Sequence, residues 1–357
     1  MTVKTIATTP YQDQQPGTSG LRKKVPVFQQ PNYAENFIQS IFDVLEGFKG
    51  KTLVVGGDGR FYNREVIQKL IKIAAANGFG RIMVGQGGIL STPAASNMIR
   101  KYKAFGGMIL SASHNPGGPT QDFGIKYNIG NGGPAPEKIT EAIFARSKVI
   151  DQYKIADAAD IDIDKIGTSK IGDTEVVIFD PVADYAELME SLFDFAAIRA
   201  MIKGGFQMKF DAMHAVTGPY AKEIFERRLG APEGSVVNFV PLPDFGGHHP
   251  DPNLVYAKDL YDLLMSSHAP DFGAPPTAMA IATSFSGAVS SSRRQIRLPC
   301  WPQMPIWRRA IKAVSRALPV PCRRAPPPTA WRKNSVSACM KPRPAGNSSA
   351  IFSTAAR

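Results

Sequence analysis

Acidic residues are missing from the last part of this chain: no Asp or Glu follows Asp271, although Lys and Arg continue to Arg357. Fourteen of the 42 Lys and Arg, and none of the 30 Asp and Glu, lie in residues 275–357, so the net charge of +12 comes from that stretch alone. A basic charge spread over a compact domain would indicate nucleic acid or an anionic membrane as partner. Here it describes only a terminal segment.

The basic segment also lacks the patterns typical of nucleic-acid binding. It mixes Pro, Ser, Trp and Arg without heptads or an alternation of aromatic and basic residues, and its cysteines, Cys300, Cys322 and Cys339, do not have zinc-ligand spacing. These are the only cysteines of the chain, so the first 274 residues need no disulfide. We therefore expect no nucleic-acid partner.

Long apolar runs are absent as well. No stretch reaches the uninterrupted apolar length that a membrane span needs, and residues 1–15 are polar, with no signal-peptide hydrophobic region. We expect no membrane partner and a cytoplasmic location. A length of 357 residues with 43% hydrophobic residues leaves room for two or more domains with ordinary cores.

Short β-branched runs alternate with helical patterns from residue 52 onward. Strands are predicted at 52–56, 81–84 and 107–110. Helices are predicted between them, one with Asn63 as its N-cap and one at 93–103. Further strands are predicted at 176–179, 208–211 and 236–240, whereas no period of either kind continues beyond Asp271. Repeated β-α-β units predict an α/β fold with mixed, largely parallel sheets covered by helices.

Four glycine-rich segments are predicted to be loops at strand ends. They are Pro16-Gly-Thr-Ser-Gly-Leu-Arg22, Gly56-Gly-Asp-Gly-Arg60, Ser111-Ala-Ser-His-Asn-Pro-Gly-Gly118 and Asp122-Phe-Gly-Ile-Lys-Tyr-Asn128. In parallel sheets ligands bind beyond the carboxyl ends of the strands. Small residues let backbone N–H groups approach a phosphate, and Arg or Lys adds charge-assisted hydrogen bonds. Together the segments suggest phosphate handling, although for any one of them a simple turn is the stronger interpretation.

Ser113 is the strongest candidate for covalent chemistry. It follows an apolar strand and lies in a loop closed by Pro-Gly-Gly, so its hydroxyl can be exposed at the sheet edge. A serine in that position could accept and return a phosphoryl group, with His114 and Lys126 to stabilise charge or move protons. Considered alone, Ser113 could also be a turn-stabilising hydroxyl, and His114 a hydrogen-bonded loop residue.

Taken together and in this order, the segments resemble the α-D-phosphohexomutase superfamily and, within it, the phosphoglucomutase family. The family's active-serine loop is matched at Ser111 to Gly118, and its opening Pro-Gly-Thr-Ser-Gly-Leu-Arg-Lys is matched at Pro16 to Lys23. Further similar stretches are 33–40, 131–136 and 244–254. The resemblance runs from about Tyr11 to Gly273.

The resemblance implies a role for each matched residue. Ser113 would be the phosphoserine, His114 would contact its phosphate, and Lys126 would be a general acid or base. The implied phosphate and substrate ligands are Thr18, Ser19, Arg22 and Asn115. The implied reaction interconverts glucose 1-phosphate and glucose 6-phosphate through bound glucose 1,6-bisphosphate, with Mg²⁺ polarising the transferring group. The implied partners are hexose phosphates, and the implied assembly is a monomer.

The resemblance also divides the chain into regions. Residues 1–190 would form domain I with the active-serine loop, 191–274 an incomplete domain II, and 275–357 a basic, disordered tail outside the family pattern. Phosphomannomutase shares the serine loop and stays an alternative, as does a phosphosugar-binding remnant without catalysis. A nucleic-acid binder with a basic tail is a third and weaker alternative.

The family pattern fails where the metal ligands should lie. The family supplies Mg²⁺ with three carboxylates as Asp-Gly-Asp-Gly-Asp-Arg, shortly after the stretch matched here at Asp271 to Ala274. This chain continues instead as Pro275-Pro-Thr-Ala-Met-Ala-Ile-Ala-Thr283. One choice of codons for Pro276 to Thr283, read after its first two bases are omitted, encodes Asp-Gly-Asp-Gly-Asp-Arg-Asn.

We therefore hypothesise a reading-frame slip near Ala274. The slip would explain why acidic residues stop and why Trp and Cys cluster after this point. Of the implied metal ligands only Ser113, through its phosphate, would remain. We expect very low activity, or none, from this polypeptide.

Overall fold

The computed structural model describes residues 1–17, 20–253 and 255–278. The predicted disorder of the tail therefore concerns residues that, apart from 275–278, lie outside the described part. The strands up to residue 179 are β1 (Val3–Ala7), β2 (Leu21–Lys24), β3 (Thr52–Gly57), β4 (Arg81–Ile89), β5 (Gly106–Leu110), β6 (Asp122–Ile129), β7 (Gln152–Ala156), β8 (Gly167–Ile171) and β9 (Thr174–Phe179). The helices among them are α1 (Val25–Phe28), α2 (Tyr33–Val44), α3 (Asn63–Asn77), α4 (Thr92–Lys101) and α5 (Glu137–Ser147).

Seven of these strands form one mixed sheet in the order β2-β6-β5-β3-β4-β9-β8. Its central strands β5, β3, β4 and β9 are parallel, whereas β6 and β2 at one edge and β8 at the other are added antiparallel. Strands β1 and β7 form a separate antiparallel pair. The predicted α/β class with mixed, largely parallel sheets is confirmed, with the parallel part in the middle.

Both faces of the large sheet are buried, and the side chains of β3 show why it forms there. Leu53 and Val55 belong to the apolar cluster that includes α2 and α3, whereas Val54 between them belongs to the cluster around α4. Successive strand residues point to opposite faces, so a strand covered on both sides requires a continuous apolar run. The run Leu-Val-Val in β3 meets that requirement.

The chain then forms a second region with its own sheet. Its helices are α6 (Ala183–Leu192), α7 (Phe195–Lys203), α8 (Thr217–Ala221), which continues as a π-helical turn (Lys222–Arg228), and α9 (Lys258–Leu264). Its strands β10 (Met208–Asp211), β11 (Val236–Val237) and β12 (Phe272–Ala274) form an all-parallel sheet in the order β11-β10-β12. No helix in the described part of the chain is long and apolar enough to cross a membrane.

Several predicted elements are confirmed with shifted ends, and three predictions are wrong. The segment 122–128, expected to be a loop, is strand β6, because Phe123, Ile125 and Tyr127 are buried in the main cluster. The strand predicted at 236–240 ends at Val237. Asn63 is the first helical residue of α3 and not its N-cap, and its side-chain amide donates to the Gly88 carbonyl at 3.1 Å.

Helix α8 packs against the face of the large sheet that α4 covers. Val216 and Tyr220 lie in the same apolar cluster as Met83 and Ile99, and the buried Tyr220 hydroxyl accepts a hydrogen bond from the Ser91 backbone N–H at 3.2 Å. Ser91 is the N-cap of α4. The second region is thus anchored to the start of a helix that lies at the carboxyl end of β4.

Replacing Tyr220 by Phe tests this anchor. The buried N–H of Ser91 would lose its partner, and an unsatisfied buried donor costs about 1–3 kcal/mol. We expect the free energy of unfolding, measured with urea, to fall by that amount. The control Tyr256→Phe, at a 40% exposed ring, should change it by less than about 0.5 kcal/mol. Equal stability of Tyr220→Phe and the unchanged chain would contradict the anchor.

Candidate active site

Ser113 lies just beyond the carboxyl end of β5, in a tight loop. Its φ of 59° is in the left-handed region, which is uncommon for a residue with a side chain. The Ser113 backbone N–H donates to the Ser111 hydroxyl at 3.1 Å, and its own hydroxyl lies 3.5 Å from Nδ1 of the exposed His114. Ser113 is partly exposed, as predicted, and the structure brings His114 beside it.

The loop is held at its far end by Gly117, which the second region covers. A Cβ at Gly117 would lie 2.6 Å from the Pro243 carbonyl oxygen and 2.9 Å from the Phe245 ring, so only glycine fits there. Phe245 is fully buried. The serine loop is therefore enclosed by a segment that follows β11.

Lys126 lies on β6, and its side-chain amine has a lowered pKa. Its residue is 9% exposed, and the strand pairing places it opposite Ile109 of β5. Burial, followed by the positive charge of Arg22, lowers the pKa of Lys126 to about 8. Among the described residues it has no hydrogen-bonded carboxylate to compensate. An amine with this pKa holds both protonation states near neutral pH, which suits an acid or base.

Arg22 lies on β2, opposite Gly124 of β6. Burial lowers its pKa, and the charge of Arg60 adds to this effect, while Asp122 and Asp58 oppose it. Its buried Nε–H has no hydrogen-bond partner among the described residues. A buried guanidinium N–H without an acceptor, in a group of cations, is suited to an anion such as phosphate.

The remaining predicted ligands are placed only in part. Thr18 and Ser19 lie outside the described residues, but Gly17 and Gly20, which flank them, exchange backbone hydrogen bonds of 3.1 and 3.0 Å. Gly20 (φ 87°) packs so closely on β6 that a Cβ there would lie 2.9 Å from the Lys126 Cα. Asn115 is partly exposed in the serine loop, and its backbone N–H donates to the Ala112 carbonyl.

Sequence reasoning missed the two charged residues beneath the serine loop, Asp58 and Arg60. Arg60 has a fully buried side chain and is paired with Asp58 at 2.9 Å. It also donates to the Ser113 carbonyl at 2.9 Å and to the Asp122 carbonyl at 2.8 Å. The sequence signal that could have revealed them is an Asp and an Arg two residues apart, directly after the buried strand β3.

The described residues do not fit Mg²⁺. Mg²⁺ needs several oxygen ligands in octahedral geometry, and no group of three or more His, Cys, Asp or Glu in the described part of the chain could hold a metal. Asp58 is the carboxylate beneath the serine loop, and Arg60 and the Ser111 hydroxyl already occupy its oxygens.

Comparisons with known proteins match most of the chain, with coverages of 76% to 89% among the relatives cited here and the plant enzymes. Residues 13–154 match the family described as phosphoglucomutase/phosphomannomutase, alpha/beta/alpha domain I. A phosphoglucomutase of Rhizobium radiobacter is 78% identical over 272 residues, which cover 76% of this chain and 50% of that protein. Phosphoglucomutase-1 of Homo sapiens is 56% identical over 283 residues, with the same two coverages of 76% and 50%. The chain thus spans about half the length of the curated relatives it matches.

Solved structures give the same result. The crystal structure of the exocytosis-sensitive phosphoprotein pp63/parafusin, a phosphoglucomutase from Paramecium in its open form, is similar with a TM-score of 0.77 and 43% sequence identity. The match covers 80% of this chain and 55% of that one.

Replacing Lys126 by Met tests the buried charge through the pH dependence of stability. The pKa of Lys126 is lowered to about 8 in the folded chain, against about 10.4 when unfolded. The unfolded chain therefore binds more protons between these values, so this lysine destabilises the fold at pH 7 and the penalty disappears as the pH rises. We expect Lys126→Met to be more stable than the unchanged chain at pH 7, with the difference shrinking between about pH 8 and 10.4.

The measurement is urea unfolding at pH 7, 9 and 10.5. The control is Lys51→Met at an exposed lysine, which should show no such trend. A stability difference for Lys126→Met that stays constant over this range would contradict the lowered pKa.

Proposed function

We propose that this chain, which belongs to the phosphoglucomutases of the α-D-phosphohexomutase superfamily, carries their phosphoryl-relay serine at Ser113. The reaction is the interconversion of glucose 1-phosphate and glucose 6-phosphate through phosphoserine and glucose 1,6-bisphosphate. The observation that supports this best is the setting of Ser113. Ser113 is partly exposed just beyond the carboxyl end of a parallel strand, in a site with the buried Lys126 and with an Arg22 Nε–H that has no acceptor among the described residues.

In the proposed reaction the bond between phosphorus and the Ser113 oxygen breaks, and a sugar hydroxyl oxygen forms the new bond to phosphorus. The proton of that hydroxyl passes to a base, for which Lys126 is the candidate because its pKa of about 8 lets it take and return a proton near neutral pH. The resulting bisphosphate reorients within the site, so that its other phosphoryl group faces Ser113. The Ser113 oxygen takes up a proton when it leaves the first phosphoryl group and gives that proton up as it bonds to the other one. The sugar oxygen released in this second transfer takes up a proton.

The other side chains bind rather than react. Arg22 is proposed to hold phosphate through its Nε–H, which has no partner in the described part of the chain. His114 is proposed to contact the phosphate on Ser113 from its position beside the hydroxyl. Thr18, Ser19 and Asn115 are proposed as further phosphate or sugar ligands. The proposed partners are hexose phosphates, which bind as substrates. The proposed assembly is a monomer, in which domain I spans 1–190 and an incomplete domain II spans 191–274.

We further propose that this polypeptide turns over very slowly or not at all. Mg²⁺, when bound in the family, withdraws charge from the transferring phosphoryl group, but the described residues here do not fit it. A frame slip near Ala274 accounts for the lost carboxylates. The chain spans about half the length of the curated relatives it matches.

Two alternatives to this proposed function are also supported by observations. A phosphosugar-binding remnant is favoured by the cationic site around Arg22 and Lys126, which does not need the metal ligands in order to bind phosphate. A phosphomannomutase activity is compatible with the domain I match, which covers both activities.

A coupled assay with glucose 1-phosphate, glucose 1,6-bisphosphate and Mg²⁺ tests the proposal. It compares the 357-residue chain with a version whose reading frame is restored after Ala274. We expect the restored version to turn over at about 1–1,000 per second, the usual range for enzymes, and the present chain to be at least about 100-fold slower. Parallel reactions with mannose 1-phosphate distinguish the two sugars.

Two substitutions in the restored version serve as controls. Ser113→Ala should abolish turnover because the relay atom is gone, whereas Ser191→Ala, at an exposed helical serine, should leave it unchanged. Turnover of the present chain above about one per second would contradict its proposed inactivity. Turnover of Ser113→Ala at the unsubstituted rate would contradict the relay itself.

A further inference from the structure

The buried residue Arg60 makes an unusual set of contacts for a side chain with no exposure. Its Nε and one terminal nitrogen bind Asp58, at 3.0 and 2.9 Å. That same terminal nitrogen donates to the Ser113 carbonyl at 2.9 Å, and the other donates to the Asp122 carbonyl at 2.8 Å. One guanidinium therefore joins the serine loop to the first residue of β6, the strand that carries Lys126.

Asp58 extends the same network to the Ser113 amide. The Ser111 hydroxyl donates to Asp58 and accepts from the Ser113 N–H at 3.1 Å. The peptide groups on both sides of Ser113 are thus fixed by one buried ion pair, the amide through Ser111 and the carbonyl through Arg60. Ser113 needs this support because its left-handed φ of 59° is strained for a residue with a Cβ.

Phe245 closes the network from the second region. Its ring lies 5.2 Å from the Arg60 guanidinium carbon, and the adjacent Pro243 carbonyl accepts from the Phe61 N–H at 2.8 Å. The ring excludes water from the ion pair. A buried Arg and Asp pair is seldom a net source of stability, because the loss of hydration offsets the attraction. Its retention therefore needs another reason.

We propose that Arg60, with Asp58 and Ser111, is a positioning residue for Ser113 that holds the serine peptide in its left-handed conformation and at a fixed place relative to Lys126. Arg60 acts through the backbone and does not touch the substrate. This inference rests on the proposed function only in the claim that the positioning of Ser113 serves phosphoryl transfer. The placement itself can be measured without turnover.

A thiol at position 113 provides the measurement. In a Ser113→Cys version of the 357-residue chain, the pH profile of alkylation by iodoacetamide, followed by mass spectrometry of the peptide, gives the thiol pKa. Positive charge around the loop should hold it about one unit below the ordinary value of about 8.5. Adding Arg60→Lys keeps the charge but removes the planar fork that reaches three partners at once. We expect the thiol pKa to rise by at least about 0.5 unit.

The matched control is Arg64→Lys, also added to Ser113→Cys. Arg64 binds a carboxylate through two nitrogens as well, at 2.9 and 2.6 Å from Asp164, but this pair is exposed and does not touch the serine loop. The control should leave the alkylation profile of the introduced thiol unchanged. An unchanged profile in Arg60→Lys as well would overturn the proposal, because charge is conserved and only geometry differs.

A milder pair of variants, made with Ser113 in place, covers the case in which Arg60→Lys does not fold. Ser111→Ala removes the hydroxyl between Asp58 and the Ser113 amide, and Ser111→Thr keeps it. Hydrogen exchange of residues 111–118 should become at least about 10-fold faster in Ser111→Ala and be restored in Ser111→Thr, with exchange of α3 unchanged in both. Equal exchange in the two variants would overturn the proposal. Absence of turnover in the version with the restored reading frame would overturn only the proposed function.

Discussion

Positive charge held beside the serine loop is the constraint on which the site depends. Lys126 is buried and Arg22 is partly buried, and in both the pKa is lowered chiefly by that burial. Burial of a positive charge is unfavourable unless a partner stabilises that charge. A bound phosphate dianion does so because it supplies negative charge and acceptor oxygens together. Ser113 stands where such a phosphate could be covalently attached. The electrostatics and the chemistry therefore point to the same ligand.

The two sheets meet at this place, which explains why the end of the described chain matters. The segment after β11 places Phe245 over Arg60, and Ala278, four residues after β12, packs against Phe245. The carboxyl end of the second sheet thus faces the serine loop of the first. The residues that follow β12 therefore contribute to the enclosure of the serine loop.

The sequence predicted the parts of the fold whose burial pattern is simple. Strand β3 could be recognised because both of its faces are covered, which demands a continuous apolar run. Strand β6 was taken for a loop because Gly124, Lys126 and Asn128 interrupt the apolar pattern, and each is buried for its own reason: close strand packing, the site, and a hydrogen bond to Gly132. Arg60 could not be predicted as a support for Ser113, because it reaches the serine loop and β6 through backbone carbonyls, which no residue type marks.

The charge of Lys126 gives the most direct test of the account. Its side-chain nitrogen can be followed by NMR in lysine-labelled protein, with Lys126→Met to assign the signal, in the absence and presence of glucose 1-phosphate. The account predicts a pKa of about 8 without the sugar phosphate and a rise of at least about one unit with it, because a bound dianion favours the protonated amine. A pKa that does not move at saturating glucose 1-phosphate would contradict the claim that this cationic cluster is a phosphate site.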